Sequence, residues 1–181
     1  FEEDGTGTWR QSAKLIPADS QSNGRLGCSV SIHGDYLIAG ASNTDVVMPD
    51  NSTVVDVGAA YIYQRNDQGN WDLRQKLHDA SPHNLSTSRQ KTTFGVKVVI
   101  SEDRAVIGGS EFIDPDYLYA AWVYKRSDTG TWNFATKLFE PNLAKRKVAM
   151  GFGYSISINN NTIVVGAARD TEVALNVGSI Y

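Results

Sequence analysis

Phe152-Gly153-Tyr154-Ser155-Ile156-Ser157-Ile158, then Asn159-Asn160-Asn161, then Thr162-Ile163-Val164-Val165-Gly166-Ala167 is the stretch whose reading decides the fold. Two short apolar runs flank residues that tolerate positive φ, the pattern of two strands joined by a tight turn. The stretch has two earlier copies. Leu26-Gly27-Cys28-Ser29-Val30-Ser31-Ile32 leads through His33-Gly34-Asp35 to Leu37-Ile38-Ala39-Gly40-Ala41. Phe94-Gly95-Val96-Lys97-Val98-Val99-Ile100 leads through Ser101-Glu102-Asp103 to Ile107-Gly108-Gly109. In each copy a second glycine stands 13 residues after the first: Gly40, Gly108 and Gly166.

Two further runs complete the unit. The third reads Gly58-Ala59-Ala60-Tyr61-Ile62-Tyr63, Tyr119-Ala120-Ala121-Trp122-Val123-Tyr124 and Gly178-Ser179-Ile180-Tyr181. The fourth opens on Trp9, Trp71 and Trp132, spaced by 62 and 61 residues, and closes on Lys-Leu at Leu15, Leu77 and Leu138. These runs are rich in Val, Ile, Tyr and Trp, with Gly, Asn, Asp and Ser between them, which predicts strands and turns. No window carries an apolar stripe at helical spacing. Four strands per unit with one aromatic motif each is the signature of a β-propeller. The expected fold is therefore all-β: three four-stranded antiparallel blades in one segment, residues 1–181. The repeats fall at about 1–15 (the end of a blade), 16–77, 78–138 and 139–181 (the start of a blade).

Loop lengths give the blades two unlike faces. Turns between strands 1 and 2, and between strands 3 and 4, are short. The 2–3 connections, about Ser42–Val57, Glu111–Leu118 and Arg169–Val177, are long. So are the 4–1 connections, about Ile16–Arg25, His78–Thr93 and Phe139–Gly151. Successive strands are antiparallel, so every long loop is expected on one face, where a rigid scaffold usually places binding.

The pattern resembles FG-GAP repeats, the units of the integrin-α N-terminal propeller. Phe94-Gly95 and Phe152-Gly153 carry the likeness, with Leu26-Gly27 in the first copy. Ala39-Gly40-Ala41, Ile107-Gly108-Gly109 and Val165-Gly166-Ala167 stand for the Gly-Ala-Pro segment, its proline absent. The resemblance implies an extracellular or cell-surface recognition and adhesion module, without catalysis. It also implies a calcium loop of Asp-x-Asp-x-Asp-Gly type between strands 1 and 2. Here that place holds only a tight turn, and calcium needs six to eight oxygen ligands. No cofactor is expected.

The other residues narrow the function. The net charge of −3 gives no reason to expect nucleic acid or an anionic membrane. No run approaches the ~20 apolar residues of a membrane span. A single cysteine, Cys28, excludes an internal disulfide and reads as a small core residue. Sequons at Asn51, Asn84 and Asn160 fit a secreted glycoprotein. Trp9, Trp71 and Trp132 read as packing residues between blades. His33, His78 and His83, the dispersed Asp45, Asp50 and Asp56, and the run Lys145-Arg146-Lys147 read as solvated groups. Glu111, Asp114, Asp116 and Tyr117 form the densest acidic loop cluster and are the candidate ligand-binding residues, with a solvated loop as the plain alternative. No catalytic motif stands out.

Phe1 and Tyr181 both fall inside a third strand. The expectation from this is a segment of a longer array, or else self-association such as two copies forming a six-bladed ring. Three functions compete: recognition of a protein or glycan through the long loops, a structural subunit of a coat or filament, and the accessory propeller of a larger enzyme.

Overall fold

The computed structural model describes residues 1–79, 93–113, 116–141, 151–168 and 177–181. A short hairpin of β1 (Glu2–Glu3) and β2 (Trp9–Arg10) comes first. β3 (Leu26–His33) and β4 (Tyr36–Ala41) follow, then a small hairpin of β5 (Val46–Val47) and β6 (Thr53–Val54), then β7 (Ala59–Arg65) and β8 (Trp71–Leu77). β3, β4, β7 and β8 make one four-stranded antiparallel sheet in chain order. β9 (Lys97–Ser101), β10 (Arg104–Ile113), β11 (Asp116–Arg126) and β12 (Trp132–Phe139) repeat that order. β13 (Phe152–Asn159), β14 (Thr162–Ala167) and β15 (Ser179–Ile180) form a third sheet. Each sheet is a propeller blade, and its first strand lies at one edge. No helix among the described residues is long and apolar enough to cross a membrane.

The strands of the middle blade are apolar on both faces because it is covered on both sides, which explains near-continuous runs instead of strict alternation. Ile38, Ala60, Ile62 and Leu77 of the first blade meet Phe94, Val98, Ile100 and Trp122 of the second. Val106, Ala121 and Val123 on the other side of the second blade meet Phe152, Ile156 and Val165 of the third. Phe94 lies edge-on to Trp122, with ring centroids 5.3 Å apart, and Phe152 meets Tyr181 at 5.7 Å.

The two repeated glycines have different causes. Gly27, Gly95 and Gly153 sit at φ of 85°, 91° and 85°, a region that side chains strain. In the first and third blades this residue lies within a register shift of the ladder, a β-bulge. The kink turns the Gly95 carbonyl onto Gly40 of the preceding blade, where a Cβ would stand 2.0 Å from that oxygen. Gly153 meets Gly108 in the same way, at 2.1 Å. One glycine supplies the kink and the other makes room for it.

Two expectations are corrected. The chain over Glu111–Leu118 is not a long loop: the β10–β11 ladder continues through Glu111↔Leu118 and Phe112↔Tyr117 to Ile113↔Asp116. Its alternating bulky residues suit a ladder better than a loop. Cys28 is exposed and not a core residue. Its Sγ donates to the Gly95 carbonyl at 3.2 Å, at the blade junction.

Trp132 is 2 % exposed and packs edge-on to Tyr36 of the preceding blade at 5.9 Å, the expected role between blades. Trp9, at the uncovered end of the series, is 64 % exposed.

Candidate functional site

Loop asymmetry is plain in the contacts of the first blade. The 1–2 turns are two-residue hairpins, Gly34-Asp35, Glu102-Asp103 and Asn160-Asn161, with φ near +50° at Gly34, Glu102 and Asn160. They lie beside the 3–4 turns: the Arg65 and Arg126 amides donate to the Asp35 and Asp103 carbonyls. The Asp103 carboxylate is taken by Arg104 at 2.9 Å and Lys125 at 3.7 Å. A two-residue turn offers too few oxygens for a calcium ion, so these residues do not fit the family's calcium loop.

On the opposite face the 4–1 and 2–3 connections of the first blade are tied together. The Asp45 amide donates to Gln21 Oε1 at 2.7 Å, and the Asn43 amide donates to the Gly24 carbonyl. Asp45 Oδ1 accepts from the Asp56 amide at 2.8 Å, and Asp50 Oδ1 accepts from the Ser52 amide at 2.9 Å. These acids therefore brace the loop backbone. Among the described residues no group of His, Cys, Asp and Glu is placed to hold a metal ion. Hairpin β5–β6 stands on this base with Val47 and Val55 63 % and 67 % exposed.

A repeated side-chain clasp pins the long-loop face. Each 4–1 connection carries an acid just past the Lys-Leu pair: Asp19, Asp79 and Glu140. Asp19 Oδ2 accepts from Lys76 Nζ at 2.7 Å and from the Tyr61 hydroxyl at 3.2 Å. Asp79 Oδ2 accepts from Lys137 Nζ and Trp122 Nε1, both at 3.1 Å. Glu140 Oε1 accepts from the Tyr181 hydroxyl at 3.4 Å. In the first two clasps the ammonium also lies over the aromatic ring, 5.5 Å from the Tyr61 centroid and 4.7 Å from that of Trp122. An acid leaving one blade thus grips the third and fourth strands of the next. Repetition of Lys14, Lys76 and Lys137, with an acid two to four residues after each following leucine, was the available sequence signal for it.

Burial alone would raise the Asp19 pKa, but the hydrogen bond and charge of Lys76, with the Tyr61 hydroxyl, hold it below the ordinary carboxylate range. Burial, then the Asp19 charge, pushes Tyr61 well above the ordinary phenol range, so the hydroxyl stays a donor. A depressed carboxylate stabilises the fold above its unfolded pKa of ~4, and that stability is lost as pH falls through the folded value. The Asp19 side chain is 48 % exposed, so its clasp contributes about 1 kcal/mol. An Asp19→Asn variant should melt below the parent at neutral pH and alongside it in acid well below the carboxylate range. A gap that persists in acid would assign the effect to something other than the ion pair.

The sequence-predicted site residues are placed unevenly. Glu111, Asp116 and Tyr117 have their backbone at the far end of the β10–β11 ladder, on the long-loop side. Asp114, His83, Asn84 and Lys145-Arg146-Lys147 lie outside the described residues. Asn51 and Asn160 are exposed in turns, at φ of 64° and 51°. His78 has its ring Nδ1 2.9 Å from the Asp79 carbonyl oxygen.

No curated protein matches the chain. A family model does: FG-GAP repeat, over residues 9–63 and 132–181, more than half the length. Those two stretches hold the first and third of the Gly-Gly pairs, with Trp9 and Trp132. The kinked glycine, the contact glycine and the four-stranded blades therefore have one origin: the chain belongs to the FG-GAP repeat family.

Proposed function

We propose that this chain is an extracellular recognition module that binds a protein or glycan through its long-loop face and carries out no catalysis. The observation that carries the reading is the exposed pair Val47 and Val55 on a loop base braced by Gln21, Asp45 and the Asp19 clasp. A rigid base lets exposed apolar groups bind without a large ordering cost. FG-GAP repeats are typical of surface proteins, which supports the location. Glu111, Asp114, Asp116 and Tyr117 join this face as ligand contacts in the proposal.

The test is a panel of immobilised glycans and extracellular matrix proteins. Asp114→Ala, Asp116→Ala, Tyr117→Ala and Val47→Ser should each weaken a captured ligand roughly tenfold, the loss of one good contact. Lys125→Ala and Asp128→Ala on the short-turn face should leave it unchanged. Binding that survives every long-loop substitution would refute the assignment of the face.

Two outcomes test the location and the lack of calcium. Material from a secretory host should lose mass on glycan removal, with Asn51→Gln and Asn160→Gln each reducing the loss. A chelator should leave the melting temperature unchanged, because the 1–2 turns supply too few ligands.

A further inference from the structure

Two places in the sequence set a side-chain carbonyl next to a glycine amide, with no Cβ to hinder ring closure: Asp4-Gly5 and Asn23-Gly24. The fold treats them differently. Asp4 Oδ1 accepts from the Thr6 and Thr8 amides at 2.9 and 3.2 Å, and Oδ2 accepts from Arg10 Nε at 2.7 Å. The Thr6 hydroxyl, then the Arg10 guanidinium, hold its carboxyl well below the ordinary range. A carboxylate kept ionised and pinned in this way is a poor electrophile. Asn23 is the opposite case. Its amide is neutral, the residue is exposed, and its side chain takes no hydrogen bond among the described residues.

The fold also favours this reactive pair. Asn23 lies at φ 63°, which asparagine tolerates better than most residues. A Cβ on Gly24 would stand 3.1 Å from Thr44 Oγ1 and 3.3 Å from the Gln21 carbonyl oxygen, so packing favours glycine there. Arg25 has φ 57°, a value arginine adopts rarely, so contacts and not residue preference hold the segment. The Gly24 amide donates to the Gln21 carbonyl at 3.2 Å. The Gly24 carbonyl accepts from the Asn43 amide at 3.3 Å and the Thr44 hydroxyl at 3.4 Å. Gln21 Oε1 accepts from the Asp45 amide. This brace joins the two long connections of the first blade.

We propose that Asn23 is a site of spontaneous deamidation and that the reaction unfastens the brace. The Gly24 nitrogen attacks Asn23 Cγ. The N–Cγ bond forms, the Cγ–Nδ2 bond breaks, and ammonia leaves with the Gly24 amide proton. Water then opens the cyclic imide at either carbonyl, giving isoaspartate or aspartate. The amide must first leave the Gln21 carbonyl, so the turn gates the rate. Isoaspartate carries the backbone through the side-chain carbon, one methylene longer, and adds a negative charge to a loop pair that already holds Asp19 and Asp45. The Gly24 carbonyl then no longer meets Asn43 and Thr44.

The full chain, incubated at mildly alkaline pH and sampled over weeks, tests this by peptide mapping with mass spectrometry and by enzymatic methylation of isoaspartate. Wild type should gain the deamidation mass at Asn23 before any other asparagine, while Asp4 stays unconverted. Gln21→Ala frees the turn from Asp45 and should raise the rate several-fold. Asn23→Gly, which suits the positive φ, should abolish the signal and keep the melting temperature. In the purified isoaspartate form the Asn43 and Asp45 amides should exchange hydrogen about tenfold faster than in the intact chain, since both are held by the brace. Asn23 that stays intact in the folded chain while the urea-unfolded chain converts overturns the proposal. So does conversion at Asp4 first, a Gln21→Ala rate equal to wild type, or unchanged exchange in the isoaspartate form.

Discussion

Gly108→Val is expected to melt far below the parent. A Cβ at this position would lie 2.1 Å from the Gly153 carbonyl oxygen and 3.0 Å from the Ile156 side chain. The obstacle is backbone of the neighbouring blade, so neither a rotamer change nor a small local shift relieves it. Parting the blades would also uncover the packing of Val106 and Val123 on Phe152 and Ile156. Overpacking costs about 1–3 kcal/mol and occasionally more, and a clash with backbone stands at the top of that range or above it, a large share of the roughly 5–15 kcal/mol that holds a domain together. Gly69→Ala is the control. Gly69 also has positive φ, at 81°, but open space surrounds it, so the cost is about 1 kcal/mol. Thermal unfolding followed by circular dichroism separates the two. If Gly108→Val melts with the parent, the blades do not meet at this glycine.

Asp79→Ala should produce the second largest loss, about 2–4 kcal/mol in chemical denaturation. Asp79 is 7 % exposed and Trp122 is fully buried. The substitution takes an acceptor from the indole Nε1–H and a counter-charge from Lys137, whose side chain is 19 % exposed. Asp79→Asn keeps an acceptor for the indole and should cost less. Adding Lys137→Met to Asp79→Ala should recover part of the loss, because the ammonium is then no longer held near a low-dielectric site without that carboxylate. Additive losses would mean that the two residues do not act as a pair. The contrast with Asp19, where the same clasp is half exposed, follows from solvent screening.

The strand runs, their number per unit and the two glycines were readable in the chain because each reflects a local requirement. Strand residues are β-branched or aromatic, hairpin turns are Gly, Asn or Asp, and the three registered copies remove the ambiguity of any one. The clasp was less legible. Lys76 and Lys137 stand out in the sequence only as the ends of a repeated run, because their partners Asp19 and Asp79 lie 57 and 58 residues away. Asp45 and Asp50 looked like dispersed loop acids. Their work of holding loop amides depends on how the loop folds back, which no spacing rule expresses. The Glu111–Leu118 connection read as a loop because its acids and proline suggested one. The ladder continues there because the strands on either side are already paired up to Gly109↔Ala120 and carry the register outward.

By itself, then, the sequence determined blade type and strand order, since these follow from period and residue preference. Tertiary structure alone decided which residues meet across blades. Gly95 and Gly153 are kinked by their own backbone, but Gly40 and Gly108 are glycine only because another blade's carbonyl occupies the place of a Cβ. The same holds for the serines that capture a neighbouring strand's amides. Such requirements arise where two distant backbones come within contact, and that distance is set by the packing of the whole blade.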